Sequence, residues 1–147
     1  MTLSYTDPAV TTAEADAYAA LRGWTDWTGA DAVKTAAIRR GQDYIAGIGN
    51  GRWATDWDNA DAPEAVKNAI IEAARRELVA PGSLAPDFVA SRTVTREKKK
   101  VGPLEKETEY AGGASAASAR PNIAIIDQLL AGLLAAAGGA SVDLLRV

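Results

Sequence analysis

Between residues 11 and 82 the chain is punctuated three times by a helix start and then a helix stop. Thr11-Thr12-Ala13-Glu14 fits a capping box, in which the Thr11 hydroxyl and the Glu14 side chain satisfy each other's backbone amides. The spacing predicts a helix from Thr12 to Arg22, with Ala15, Tyr18, Ala19 and Arg22 recurring, and Gly23 placed to end it. Asp31 is read as the cap of a second helix, Ala32 to Ile48. Its apolar stripe is Val33, Ala37, Gly41, Tyr44 and Ile48, flanked by Ile38 and Ile45. Lys34, Arg39, Arg40 and Asp43 take the opposite face, and Gly49-Asn50-Gly51 stops the helix. Asp61-Ala62-Pro63-Glu64 opens a third, running to Ala80 with Val66, Ala69, Ile70, Ala73 and Leu78 inward, before Pro81-Gly82.

Arg92–Tyr110 reads differently. Two arms, Arg92–Val101 and Leu104–Tyr110, flank a Gly102-Pro103 break, the pattern of a β-hairpin-like extended arm. Each arm reaches roughly 30 Å at the usual strand rise, with little apolar surface to bury, so the segment is expected to leave the body. Ala111–Ala119 is a flexible low-complexity linker. A last helix, Asn122 to Ala137, carries Ile123, Ile126, Leu129, Leu130, Leu133 and Leu134. The tail to Val147 adds Val142, Leu144 and Leu145. The expected fold is mainly α: a small bundle of three to four helices with an extended β-hairpin-like arm and a C-terminal tail. Its parts are a helical core (1–91), an extended arm (92–110), a flexible linker (111–120), and a C-terminal helix and docking tail (121–147).

Composition narrows the chemistry. One domain of 147 residues can bury roughly 70% of its unfolded surface, but alanine dominates the apolar count, with one Phe and one Met. Such helices pack closely and cover little area, so a neighbouring subunit is a candidate to complete the burial. The net charge of −3 argues against a protein whose main task is gripping nucleic acid. Neither Cys nor His is present. That removes thiolate chemistry, the commonest general base and the commonest transition-metal ligand. No cofactor, metal site or catalytic residue is expected. The N-terminus lacks the basic and apolar regions of a signal peptide, and no apolar run approaches a membrane span. The expectation is a soluble protein made inside the cell.

The remaining constellations each have two readings. Trp24/Trp27 and Trp53/Trp57 suit closure over the ends of a bundle short of bulk; the alternative is a stacking surface for bases. Asp26, Asp56, Asp58 and Asp61 weigh against the second by repelling phosphates. The basic run Arg96, Lys98, Lys99, Lys100 meets phosphates in principle. Glu105, Glu107 and Glu109 follow closely, and a folded-back arm sets them across from the bases. That reads as a self-neutralised hairpin or an inter-subunit contact. Glu14, Asp31, Asp61 and Glu64 stand at helix starts, where carboxylates are favourable.

The order of ADAYAALRG (15–23), QDYIAGI (42–48), a Trp loop, PEAVKNAIIEAARREL (63–78), REKKKVGPLEKETEY (96–110) and PNIAIIDQLLAGLL (121–134) resembles the small head–tail connector proteins of tailed bacteriophages. These are also called adaptor or head-completion proteins, and many relatives carry the label DnaT-like single-stranded DNA-binding protein. The resemblance covers about residues 3–136. It implies a structural virion component at the neck, assembled in the host cytoplasm: a ring of about twelve copies, closed by heterologous contacts, between the portal protein and a stopper or tail-terminator protein. DNA then passes through the channel without specific binding. Carried onto this sequence, Arg96, Lys98, Lys99, Lys100, Glu105, Glu107, Glu109 and Tyr110 become inter-subunit contacts. Ile126, Leu130, Leu133, Val142, Leu144, Leu145 and Val147 become portal-binding residues. The alternative is a single-stranded DNA-binding accessory protein of replication.

Overall fold

The computed structural model describes residues 2–87, 94–100, 105–110 and 120–136, with the backbone alone for 94–100 and 105–110. The chain is mainly helical. Four α-helices are described: α1 Thr12–Leu21, α2 Asp31–Gly49, α3 Glu64–Val79 and α4 Ala124–Leu130. Two strands, β1 Val94–Lys100 and β2 Glu105–Tyr110, pair antiparallel. Contacts divide the chain into two compact units, Met1–Leu84 with Asn122–Val147, and Ala85–Pro121.

In the first unit α2 and α3 form the central pair, and small residues set how closely they meet. Ala37, Ala69, Ala73 and Ala74 are fully buried. At Gly41 the two backbones touch: a Cβ there would stand 2.7 Å from both Ala74 N and Ile70 O. Close packing thus replaces bulk, and Ile38, Ile45, Val66, Ile70 and Ile71 fill what remains of the core. Ile123, Ile126 and Leu130 of the C-terminal segment join the same cluster.

The capping box of α1 forms as the sequence predicts. Thr11 Oγ1 accepts from Glu14 N at 3.2 Å, and Thr11 N donates to Glu14 Oε2 at 2.7 Å. Gly23 ends that helix at φ +61°. Asp31 and Asp61 do not cap. Ala30 and Pro63 occupy the N-cap positions without a side-chain bond, and Asn59–Asp61 makes a short 3-10 turn. Asp31 stands inside the first turn of α2, where its charge still meets the helix dipole favourably. Val33, expected on the buried stripe, is 52% exposed, while Gln42, on no apolar stripe, is fully buried.

Gln42 is buried because it serves the backbone of the N-terminal segment. Its Oε1 accepts from Ala9 N at 2.8 Å, and its Nε2 donates to Ser4 O at 2.6 Å and Asp7 O at 2.9 Å. Asn50 does the same for Leu3, accepting from its N at 2.7 Å and donating to its O at 3.1 Å. Side-chain amides thus stand in for a neighbouring strand, and Leu3 and Val10 reach the core.

α4 stops at Leu130, seven residues short of the end that the apolar pattern predicts. Gly132 takes φ +81°, a left-handed conformation open to glycine. The chain then extends along the Trp53 loop, with Ala54 N donating to Leu133 O at 2.9 Å and Ala135 N to Arg52 O at 2.6 Å. Leu133 and Leu134 therefore sit half-buried in an extended segment rather than on a helical stripe.

In the second unit the strand register opposes Arg96 to Glu109, Lys98 to Glu107 and Lys100 to Glu105, and Lys99 to Lys106. A register shift falls between Val94 and Arg96. The Gly102-Pro103 turn, the linker 111–119, the Phe88-Val89 anchor and the tail 137–147 lie outside the described residues.

Candidate functional site

Two aromatic clusters stand on the first unit. In the first, α1 and α3 bring together residues far apart in sequence. Arg22 lies over the Tyr18 ring at 3.3 Å, Tyr18 meets Trp24 edge to face at 5.4 Å, and Arg75 stacks on Trp24 at 4.3 Å. Such cation–aromatic contacts are worth about 0.5–1 kcal/mol each where exposed. Arg75 Nε also donates to both carboxylate oxygens of Asp26 at 2.9 Å. Below this ladder Tyr18 Oη donates to Glu72 Oε1 at 3.1 Å, and Arg76 Nη1 holds Glu72 Oε2 at 3.1 Å. Burial, reinforced by the Glu72 charge, pushes the Tyr18 hydroxyl up to about 12. Trp27, 6% exposed, donates through Nε1 to Asp16 at 2.7 Å. Hydrogen bonds from Lys34 and Trp27 hold the Asp16 carboxyl below its ordinary value.

The second cluster is Trp53 with Trp57, their centroids 4.9 Å apart. Trp53 covers Gly49, leaving no room for a Cβ, and donates through Nε1 to Asn50 Oδ1 at 3.1 Å. Arg52, exposed, stands beside it. Both clusters close the ends of helices, as the sequence suggests, and only Trp27 is fully committed to the core. Trp24, Trp53 and Trp57 are half-buried.

The cations of this unit are largely engaged. Lys34 pairs with Asp16, Arg39 with Asp43, Arg40 with Glu77, Lys67 with Glu14, Arg75 with Asp26 and Arg76 with Glu72. Arg22 and Arg52 make none of these ion pairs and are exposed. Glu77 is the most enclosed of the paired carboxylates. Burial alone would raise it, but amide donors from Gly82 and Leu84, with Arg40, outweigh that and hold it below the usual range. Its task is structural, since it fastens the turn that follows α3. Among the described residues no group of acidic side chains has the arrangement of a metal site, and no helix is long and apolar enough to cross a membrane.

Of the residues expected at docking faces, Ile126 and Leu130 are buried in the core and Leu133 is half-buried. Ile126 and Leu130 thus pack in the core from α4, and Leu133 lies beyond the helix end. Val142, Leu144, Leu145 and Val147 lie outside the described residues. Arg96, Lys98, Lys99, Lys100, Glu105, Glu107, Glu109 and Tyr110 all fall on the paired strands, which bring bases opposite acids at three positions. Sequence reasoning missed the ladder through Arg22, Tyr18, Trp24 and Arg75, because Arg75 comes from a segment about fifty residues away from the other three. The one available signal was the placement of Tyr18 and Arg22 one helical turn apart.

Searches against curated proteins and against solved structures return no match. A family model described as "Putative DnaT-like ssDNA binding protein" matches residues 51–147. That span holds Arg52, the Trp53/Trp57 cluster, α3, both strands and α4, about two-thirds of the chain, and the chain belongs to this DnaT-like family.

Proposed function

We propose that the chain is a non-catalytic single-stranded DNA-binding accessory protein. The family match carries this reading. The matched span contains both ingredients that single-strand binding uses, aromatic faces for bases and cations for phosphates. Trp53, Trp57 and Arg52 offer them on the first unit, and the basic run of β1 offers cations on the second. The grip is weak, because the ion pairs named above leave few cations unengaged and the net charge is −3. With about two or three phosphates neutralised, log K should fall with log salt at a slope near −1.4 to −2. Fluorescence anisotropy with a labelled oligothymidylate of about twelve nucleotides, in roughly 50 mM salt, tests this. Binding in the tens-of-micromolar range with that shallow slope is expected. No binding at a protein concentration of about 100 μM overturns the reading.

A second reading is favoured by the same engaged cations. An acidic subunit whose bases already face acids suits a channel through which DNA slides, since each neutralised phosphate would slow it. In this reading the chain is a ring adaptor of the virion neck. Segment 92–110 is an arm that builds the ring, residues 121–147 face the portal, and a stopper or tail-terminator protein sits beyond. Native mass spectrometry of the protein mixed with a portal ring separates the two. Stoichiometric addition of the chain to that ring, with no oligonucleotide binding, selects the adaptor.

A further inference from the structure

A cleft of about 340 Å3 opens beside the last turn of α3, lined by Asp26, Arg75, Arg76, Val79, Ala80 and Ser83. Two consecutive guanidinium groups stand in it, and neither is used up. Arg75 spends only Nε, on Asp26, and its plane is held against Trp24. Its terminal nitrogens have no hydrogen-bond partner among the described residues. Among the described residues Arg76 spends only Nη1, on Glu72 O at 2.7 Å and Glu72 Oε2. The Ser83 hydroxyl makes one long bond, 3.5 Å to Arg76 O.

A guanidinium fixed on one face and one edge has already lost much of its rotamer freedom. Its remaining N–H groups form a fork that matches two oxygens of a phosphate, so less entropy is lost when the bond forms. Asp26 and Glu72 do not occupy that fork; they orient it. Trp24 and Asp26 precede residue 51, where the family match begins, so the parts that aim Arg75 come from outside the matched span.

We infer that this cleft seats one backbone phosphate of a single-stranded DNA ligand, on the terminal nitrogens of Arg75 with Arg76 and Ser83 beside them. The inference rests on the single-strand-binding reading. It also gives the ligand a contact on the first unit besides Arg52.

Val79 is 61% exposed, so Val79→Glu carries a negative charge into the cleft from a position the core does not use. Val33→Glu, at a 52% exposed site in the first turn of α2, is the matched control for net charge. Anisotropy with the same oligothymidylate is measured for wild type and both variants. The expected result is a loss of about tenfold or more for Val79→Glu and less than about twofold for Val33→Glu. If wild type binds and the two variants match each other, the cleft is no phosphate seat, while the single-strand reading stands. If wild type does not bind, both fall. Should Val79→Glu lose its helical circular dichroism, Ser83→Glu brings the same charge from the exposed turn beyond α3, and the same criteria apply.

Discussion

The two tryptophan loops look alike in sequence and are built on different supports. Trp24 and Trp27 lie among charged partners from α1, α2, α3 and the loop itself: Asp16 and Lys34 around Trp27, Arg75 and Asp26 around Trp24. Trp53 and Trp57 lean on each other, on a glycine and on an uncharged amide. The first loop ties three helices together through charge. The second caps one helix and receives the C-terminal segment as a short bridge. A loop aromatic therefore takes its role from the groups that distant elements bring to it, and a closely spaced tryptophan pair alone does not show which role it is.

The largest expected break in this comparison is Trp27→Ala. A buried Trp cut to Ala costs about 3–5 kcal/mol, and here Asp16 also loses a donor. Trp57→Ala, at a half-buried site whose neighbour can shift, is expected to cost about 1–2 kcal/mol. Urea unfolding followed by far-UV circular dichroism measures both. Equal costs would mean that the second loop is as firmly seated as the first.

Gly49 and Gly47 sharpen the same contrast from the helix side. The Trp53 ring fills the place of a Cβ on Gly49, whereas a Cβ on Gly47 meets nothing within 4 Å. Gly49→Ala should displace the ring and cost about 1–3 kcal/mol despite the better helix former. Gly47→Ala should stabilise by about 0.5–1 kcal/mol. Near-UV circular dichroism should change for the first variant and not for the second. If Gly49→Ala stabilises as Gly47→Ala does, Trp53 is not packed on the helix.

Much of the bundle was legible from caps, stripes and stops, because local rules decide it. The box at Thr11 and Glu14 and the stops at Gly23 and Gly49-Asn50-Gly51 need only their neighbours. Gly41 stood on the predicted stripe, though nothing local says that it marks a backbone crossing. Gln42 and Glu77 were not legible, since a polar side chain is buried for the sake of groups that the fold alone brings near. The early end of α4 was half-legible: Gly132 was visible, but the leucines beyond it kept the helical period, and the strand-like partner that claims them lies eighty residues upstream at Trp53. Of the candidate site, the alternation of bases and acids over 96–109 was visible, but which of them oppose each other follows from a backbone register that charge alone does not fix. The cleft at Arg75 was not visible, because Trp24 and Asp26 reach it from another segment.

The smallest effect is also the one most specific to the comparison. Asp16 accepts the indole N–H of Trp27, and Asn50 accepts that of Trp53. Only the first acceptor titrates. The Asp16 carboxyl is held below its unfolded value of 3.8, so the folded state prefers it ionised. The stability this contributes is therefore present above pH 3.8 and is lost as pH falls through the lower folded value. Asp16 is half-exposed, although its partner Lys34 is largely covered, so solvent screening at the carboxylate keeps the contribution to about a few tenths of a kcal/mol. The indole signals read it more sensitively than stability does. In a two-dimensional NMR titration at acid pH the Trp27 Nε1–H resonance should move as Asp16 takes up its proton, while that of Trp53 stays in place. In Asp16→Asn the Trp27 signal should no longer titrate. A Trp27 resonance that still moves in that variant, or a Trp53 resonance that moves with it, would show that the two loops share one acid-sensitive support, and the contrast between them would collapse.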